Sequence, residues 1–284
     1  MLERKPEDKL VPIGEIGIES VDFVMMNPPF YSSEDDMLES AKRKSRPPMS
    51  ACTGARVEMV CDGGEVAHVC RLLSESLILR ERVSWYTSML GKLSSLEILV
   101  EKLRAHGIDN YAVTEFIQGT KTRRWALGWS FGPMRPAENA ARGMKSSAGR
   151  KLLPPPVTAK LLVSSTDRSI GRVVTRIQEV LGSLELLSWS WEPESLRGFG
   201  RARENVWGRA WRRKKLHEQH AREDTSKQCS ASAAKPEECR LGFGIEVLVC
   251  RSEACVTLLW REGHDFALFE SLGGYLRGKL KDLG

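Results

Sequence analysis

An α/β fold in two parts is what the sequence predicts, and three observations predict it. Short apolar, β-rich runs alternate with stretches of helical periodicity up to residue 131. Residues 132–157 are then rich in Gly, Pro, Ala and Ser, include Pro154-Pro155-Pro156, and read as a linker that is stiff at its end. Beyond it, strand and helix patterns resume around a basic segment and read as a smaller α+β domain over 158–284. At 284 residues the chain is long enough for two domains that each bury a core.

The first element is Val21-Asp22-Phe23-Val24-Met25-Met26, a short run of β-formers that Pro28 and Pro29 stop from continuing as a ladder. It reads as a buried strand ending in a rigid turn. Residues 31–53 form a long loop, acidic at Glu34-Asp35-Asp36 and basic at Lys42, Arg43, Lys44 and Arg46. The basic run reads either as a clamp for phosphates or as a solvated charge run. From Gly64 to Arg80, apolar residues recur at helical spacing. Val83 to Leu90 reads as a strand. Ser94 with Glu97 three residues on predicts a capped helix start, and Gly107 its end. Two more strands are expected near Tyr111–Ile117 and Arg124–Phe131. In the second of these Trp125, Leu127 and Trp129 alternate as an inward face, while Arg123 and Arg124 are candidates for phosphate contacts. Glu65 and Glu115 read as surface or helix-start carboxylates rather than site groups.

In the second part, Lys160–Ser164 reads as a strand, Ile170 to Gly182 as a one-faced helix and Leu184–Trp191 as a further strand. Residues 197–215 hold eight Arg or Lys against one Glu, with Phe199, Trp207 and Trp211 interleaved. Cations for phosphate and rings for bases suit a nucleic acid, which makes Arg201, Arg203, Arg209, Arg212, Arg213, Lys214 and Lys215 candidate contacts. A surface strand or helix with anchoring tryptophans is the competing reading. Residues 224–240 are polar, low in complexity and expected to be disordered. Strands at Gly244–Cys250 and Cys255–Trp260 lead to a last helix from Asp265 to Leu280.

Lys and Arg number 43 against 37 acidic residues, a net charge of +6 that permits a polyanionic partner. No stretch approaches the run of about 18 apolar residues that spans a bilayer, and the first residues lack the apolar core of a signal peptide. A soluble protein of the nucleus, the cytoplasm or both is expected, with no membrane partner. Seven cysteines without a Cys-x-x-Cys pair fit reduced thiols, and Cys61, Cys70, Cys250 and Cys255 read as buried and inert. His217, His220, Cys229 and Cys239 match no common zinc spacing, so no metal is expected.

The chemistry concentrates in Asn27-Pro28-Pro29-Phe30, at the carboxyl end of the first strand, where ligands bind in open α/β sheets. An amide oxygen and a carbonyl freed from its ladder can accept the two N–H bonds of an amino group on a flat heterocycle, and a ring can stack on its plane. Such acceptors favour the pyramidal amine that develops when it attacks a methyl group in line. A plain turn at a strand end is the alternative.

Asn27-Pro28-Pro29-Phe30 resembles the motif of S-adenosylmethionine-dependent amino methyltransferases of nucleic acids. Arg46-Pro47-Pro48-Met49-Ser50, Thr53-Gly54, Gly63-Gly64-Glu65, Trp85 to Lys92, Gln118-Gly119 and Arg124 to Phe131 are similar in order and spacing to the methyltransferase-like protein 16 family. Departures are Ala55 after Thr53-Gly54 and one extra residue between Gly119 and Arg124. The resemblance implies the second half of a class I, Rossmann-like methyltransferase sheet, whose last strand inserts antiparallel, over residues 1–131. It implies methyl transfer to adenosine N6 in structured RNA of small nuclear type. Asn27 and Pro28 would hold the amine, Pro29 would shape the turn, Phe30 would stack the base, and Asn27 would also touch the cofactor. The family's first three strands, with the glycine-rich turn and ribose-holding acid, are not seen before Asn27. The expectation is therefore a truncated, fungal-like or divergent member with half a cofactor site and an unpaired apolar edge on Val21–Met26. The second part resembles a kinase-associated-1-like RNA-binding module. A DNA or protein-glutamine amino methyltransferase and a non-catalytic RNA-binding protein remain alternatives, as do monomer and dimer.

Overall fold

The structure is a computed structural model that describes residues 8–29, 31–33, 35, 39, 60–118, 122–165, 170–223, 238–249 and 253–281. The chain divides into two compact units. One runs to Gly132 and takes in Ala137–Pro155; the other comprises Pro133–Pro136 and Pro156–Gly284.

The first unit is a five-stranded sheet. Its strands are β1 (Val21–Met26), β2 (Val83–Leu90), β3 (Tyr111–Gln118), β4 (Thr122–Trp129) and the two-residue β5 (Arg142–Gly143), in the order β1-β2-β4-β3-β5. β1 and β2 are parallel, β4 is antiparallel to both of its neighbours, and β5 is parallel to β3. The last long strand is thus inserted antiparallel, as the resemblance implies. Helices α1 (Gly64–Leu79) and α2 (Leu93–Ala105) pack on each other and against the sheet. Leu72, Tyr86, Leu90, Leu96 and Trp129 are fully buried between these layers. Trp129 stacks on Tyr86 with centroids 5.7 Å apart, and its Nε1 donates to Ser76 Oγ at 3.0 Å, tying α1 to the sheet. Trp125 and Trp129 are both buried, so their alternation marks the inward face of a strand.

Three expectations change here. Helix α2 is not capped by Ser94: its N-cap is Lys92 and it begins at Leu93. Its end is as expected, with Gly107 at φ +69°, Gly107 N donating to Arg104 O at 3.0 Å and Ile108 N to Leu103 O at 2.9 Å. The 132–157 stretch is not a free linker, because α3 (Glu138–Ala141) and β5 build residues 137–155 into the first unit, β5 by pairing with Val113 and Thr114. Cys61, Cys70 and Cys255 are partly exposed rather than buried, although burial does raise the pKa of the Cys70 thiol.

β1 lies at the edge of the sheet, and among the described residues no strand pairs with its outer side. Phe23 is 64% exposed and Met25 79%. This corrects the expectation of a buried strand: no residue of β1 is buried, because its outer side has no neighbour among the described residues.

The second unit is a five-stranded antiparallel sheet of β6 (Thr158–Ser165), β7 (Ser188–Glu192), β8 (Arg197–Ala202), β9 (Leu241–Val249) and β10 (Glu253–Glu262), in the order β6-β10-β9-β8-β7. Its helices are α4 (Ile170–Gly182), α5 (Arg209–Glu223) and α6 (Phe266–Leu280). Asp265 caps α6, its side chain accepting from Leu268 N. Trp260, Phe243, Phe269 and Ile177 form the core. β8 alternates Gly with larger residues because its inner side has no room. A Cβ at Gly200 would come within 2.4 Å of the Phe243 ring, and one at Gly198 within 2.3 Å of Trp189. β7 starts at Ser188, four residues after the expected Leu184, because Leu184 to Leu187 turn into it.

Candidate functional site

The parallel strands β1, β2 and β3 all end on one edge of the first sheet. Asn27 leaves β1 there exposed, while Pro28 and Pro29 behind it are buried. The prolines anchor the turn and the amide is offered outward. Thr87 Oγ1 donates to Val24 O at 2.9 Å and pins β1 to β2 just before the turn. Met26 pairs with Ser88, so one step further Asn27 comes level with Met89. Met89 lines a cavity of about 520 Å³ with Glu115, Phe116, Ile117, Arg124 and Lys145.

After the turn the chain is tied to the start of α1. Tyr31 bridges to Val60 and accepts from Cys61 N at 3.0 Å. Gly63 and Gly64, with φ +72° and +63°, then swing the chain into α1 close to Ser32. Glu65, in the first turn of α1, is 3% exposed and accepts from Gly91 N at 2.6 Å and Lys92 N at 3.1 Å. The residues that follow β2 are thereby fixed beside those that follow β1.

Glu115 is also buried, in contrast to its expected surface role. It accepts from Arg123 and from the backbone N–H groups of Lys145 and Ser146. Burial alone would raise its pKa. The Arg123 hydrogen bond and the two N–H groups outweigh that and hold the carboxyl below its ordinary value. Glu115 and Glu65 are the site-edge residues that sequence reasoning undervalued. For Glu115 the signal was strand periodicity, which puts it on the same side as Tyr111 and Val113.

The candidate cations divide accordingly. Arg123 is committed to Glu115, whereas Arg124 is half-buried and lines the cavity. Phe30, Lys42, Arg43, Lys44 and Arg46 lie outside the described residues. In the second unit the basic segment splits in two. On β8, Arg197 pairs with Glu246, and Arg201 forms a double hydrogen bond to Glu262 at 3.0 and 2.8 Å. Arg203 is exposed just beyond β8. On α5, Arg209, Arg212, Arg213 and Lys214 are exposed, and no ion pair to them occurs among the described residues. Lys215 pairs with Glu185 at 2.6 Å. Trp207 is buried and Trp211 partly so, as the anchoring reading expects. Among the described residues no group of His, Cys, Asp and Glu could hold a metal.

Residues 2–133 match a family model described as RNA methyltransferase. The U6 small nuclear RNA (adenine-(43)-N(6))-methyltransferase of Schizosaccharomyces pombe is 34% identical over 281 residues, which cover 98% of this chain and 65% of that protein. RNA N(6)-adenosine-methyltransferase METTL16 of Homo sapiens is 37% identical over 183 residues, covering 58% of this chain and 32% of its own. The chain thus spans 65% and 32% of the lengths of these two relatives. A solved hMettl16 catalytic domain in complex with a MAT2A 3′UTR hairpin is 43% identical over 39% of each chain, with a TM-score of 0.36. Through residues 2–133, which carry the Asn-Pro-Pro turn and the edge it stands on, the chain is similar to the RNA methyltransferase family.

Proposed function

We propose that this chain methylates N6 of adenosine in structured RNA of small nuclear type, and that its second unit, a kinase-associated-1-like module, grips that RNA. The observation that carries the reading is Asn27: an exposed amide at the end of β1, backed by two buried prolines, at the one edge where the parallel strands all finish. The Asn27 oxygen and the Pro28 carbonyl accept the two N–H bonds of the adenine amine, so that its lone pair turns toward the methyl group. Phe30 stacks on the base, and Arg124 with the basic run of Lys42 to Arg46 neutralises nearby phosphates.

S-adenosylmethionine supplies the methyl group, carried on a sulfonium. The described residues fit the amine side of this chemistry. Asn27 is the residue assigned to the cofactor side as well. No strand lies beyond β1 among the described residues, so no residue is assigned to the cofactor's methionine or ribose end. A substrate of this type fits the expected location in the nucleus, the cytoplasm or both.

The test is methyl transfer from labelled S-adenosylmethionine to an adenosine-containing hairpin RNA, to duplex DNA and to a glutamine peptide. Label in the hairpin alone, lost with Asn27→Ala, is the expected result. Label in DNA or peptide instead moves the substrate class. The open side of β1 favours a second reading, an RNA-binding protein without transferase activity. Calorimetry showing no heat with S-adenosylmethionine, alongside intact RNA affinity, would establish it.

A further inference from the structure

The second unit contains a cleft of about 380 Å³ beside the first turns of α5, lined among others by Trp207, Trp211, Tyr275, Arg212, Lys215 and Glu185. We propose that it seats one unstacked nucleotide of the RNA, the base against the Trp211 ring and the phosphate on Arg212. The proposal rests on the RNA-binding reading above and gives that binding a specific foothold.

Trp207 is 3% exposed and its Nε1 donates to Ser271 Oγ at 3.1 Å, so it is a fixed wall of the cleft. Trp211 is only partly buried, and the ammonium groups of Lys214 and Lys215 stand 5.4 and 5.1 Å from its ring centroid. Glu185 holds Lys215 in that position through an ion pair at 2.6 Å. Arg212 is exposed, with no ion pair to it among the described residues. A flat ring flanked by cations is the combination a single base with its phosphate requires. The volume lies at the small-ligand end of binding clefts and excludes a stacked duplex. An acidic peptide would use the cations but has no flat face for Trp211.

The experiment uses the full chain and two fluorescent hairpins, one with a single unpaired 2-aminopurine and one with that base paired. Binding of the first quenches its fluorescence as the base leaves solution for the indole. Trp211→Ala weakens binding of the unpaired hairpin by about tenfold and abolishes the quench, while the paired hairpin changes little. Trp211→Phe keeps affinity within about threefold, since a ring remains to stack on. Arg212→Glu, an exposed change that leaves the fold intact, weakens the same complex and lowers its salt slope by about one. Equal losses on both hairpins, or no loss with Arg212→Glu, overturn the cleft while leaving RNA binding in place. If the unaltered chain binds neither hairpin, the RNA reading itself fails. Binding to phosphatidylserine vesicles that depends on Trp211, without the quench in RNA, assigns the cleft to lipid and also overturns the proposal.

Discussion

Glu65 and Glu115 of the first unit are buried, and each holds two backbone N–H groups, whereas helix α5 of the second unit displays Arg209, Arg212, Arg213 and Lys214 to solvent. These two carboxylates are locked in place by backbone donors, and the four α5 cations are not. Charge buried against backbone donors fixes geometry, because moving it would leave donors unpaired in low dielectric. Exposed charge fixes little but attracts a polyanion from a distance and is weakened by salt. The difference matches a division between positioning an amine and gripping a backbone.

That division can be broken or sharpened by substitution. The largest effect is expected from Asn27→Ala: methyl transfer to a hairpin RNA falls by about 10²–10³-fold, on the scale of losing a positioned transition-state partner, with RNA affinity within twofold by filter binding. Glu65→Gln comes next, costing about 1–3 kcal/mol of stability in denaturant unfolding because the turn after β2 loses part of its anchor. Reversing Arg209 and Arg213 together to Glu leaves stability unchanged but lowers RNA affinity, and the slope of log affinity against log salt falls by about 1–2.

Glu115 sharpens the comparison through pH. Its folded pKa is depressed, so it adds stability above the unfolded carboxylate value of about 4.3, and that contribution is lost as pH falls through the folded value. Thermal unfolding of Glu115→Gln should therefore be less stable than the unaltered chain at neutral pH, the gap closing below about pH 4. The smallest effect belongs to Arg197→Ala. Its exposed pair with Glu246 is worth about 0.2–1 kcal/mol, and RNA affinity should stay within twofold because the guanidinium is already neutralised.

Much of this was legible in the chain. The strand at Val21–Met26, its stop at the prolines, the helix from Gly64 and the last helix with Asp265 at its head follow from local periodicity and capping chemistry. The start of α2 was not, because the Lys92 N–H is held by Glu65, a carboxylate 27 residues away, and the nearer Ser94 has no cap to make. The stretch after Gly132 has the composition of a linker. Only pairing of Arg142 and Gly143 with β3, a tertiary contact, turns it into structure. The basic segment was visible as charge. Its separation into ion-paired β8 arginines and exposed α5 cations depends on Glu246 and Glu262, which lie on other strands.

Phe23 and Met25 put grease on a strand whose outer amides and carbonyls face no neighbour among the described residues. Such a border is adhesive: any extended segment that reaches it gains hydrogen bonds and sheds water at the same moment. Preparations of this chain should cloud with rising concentration, and a lysine placed at either position should keep them clear.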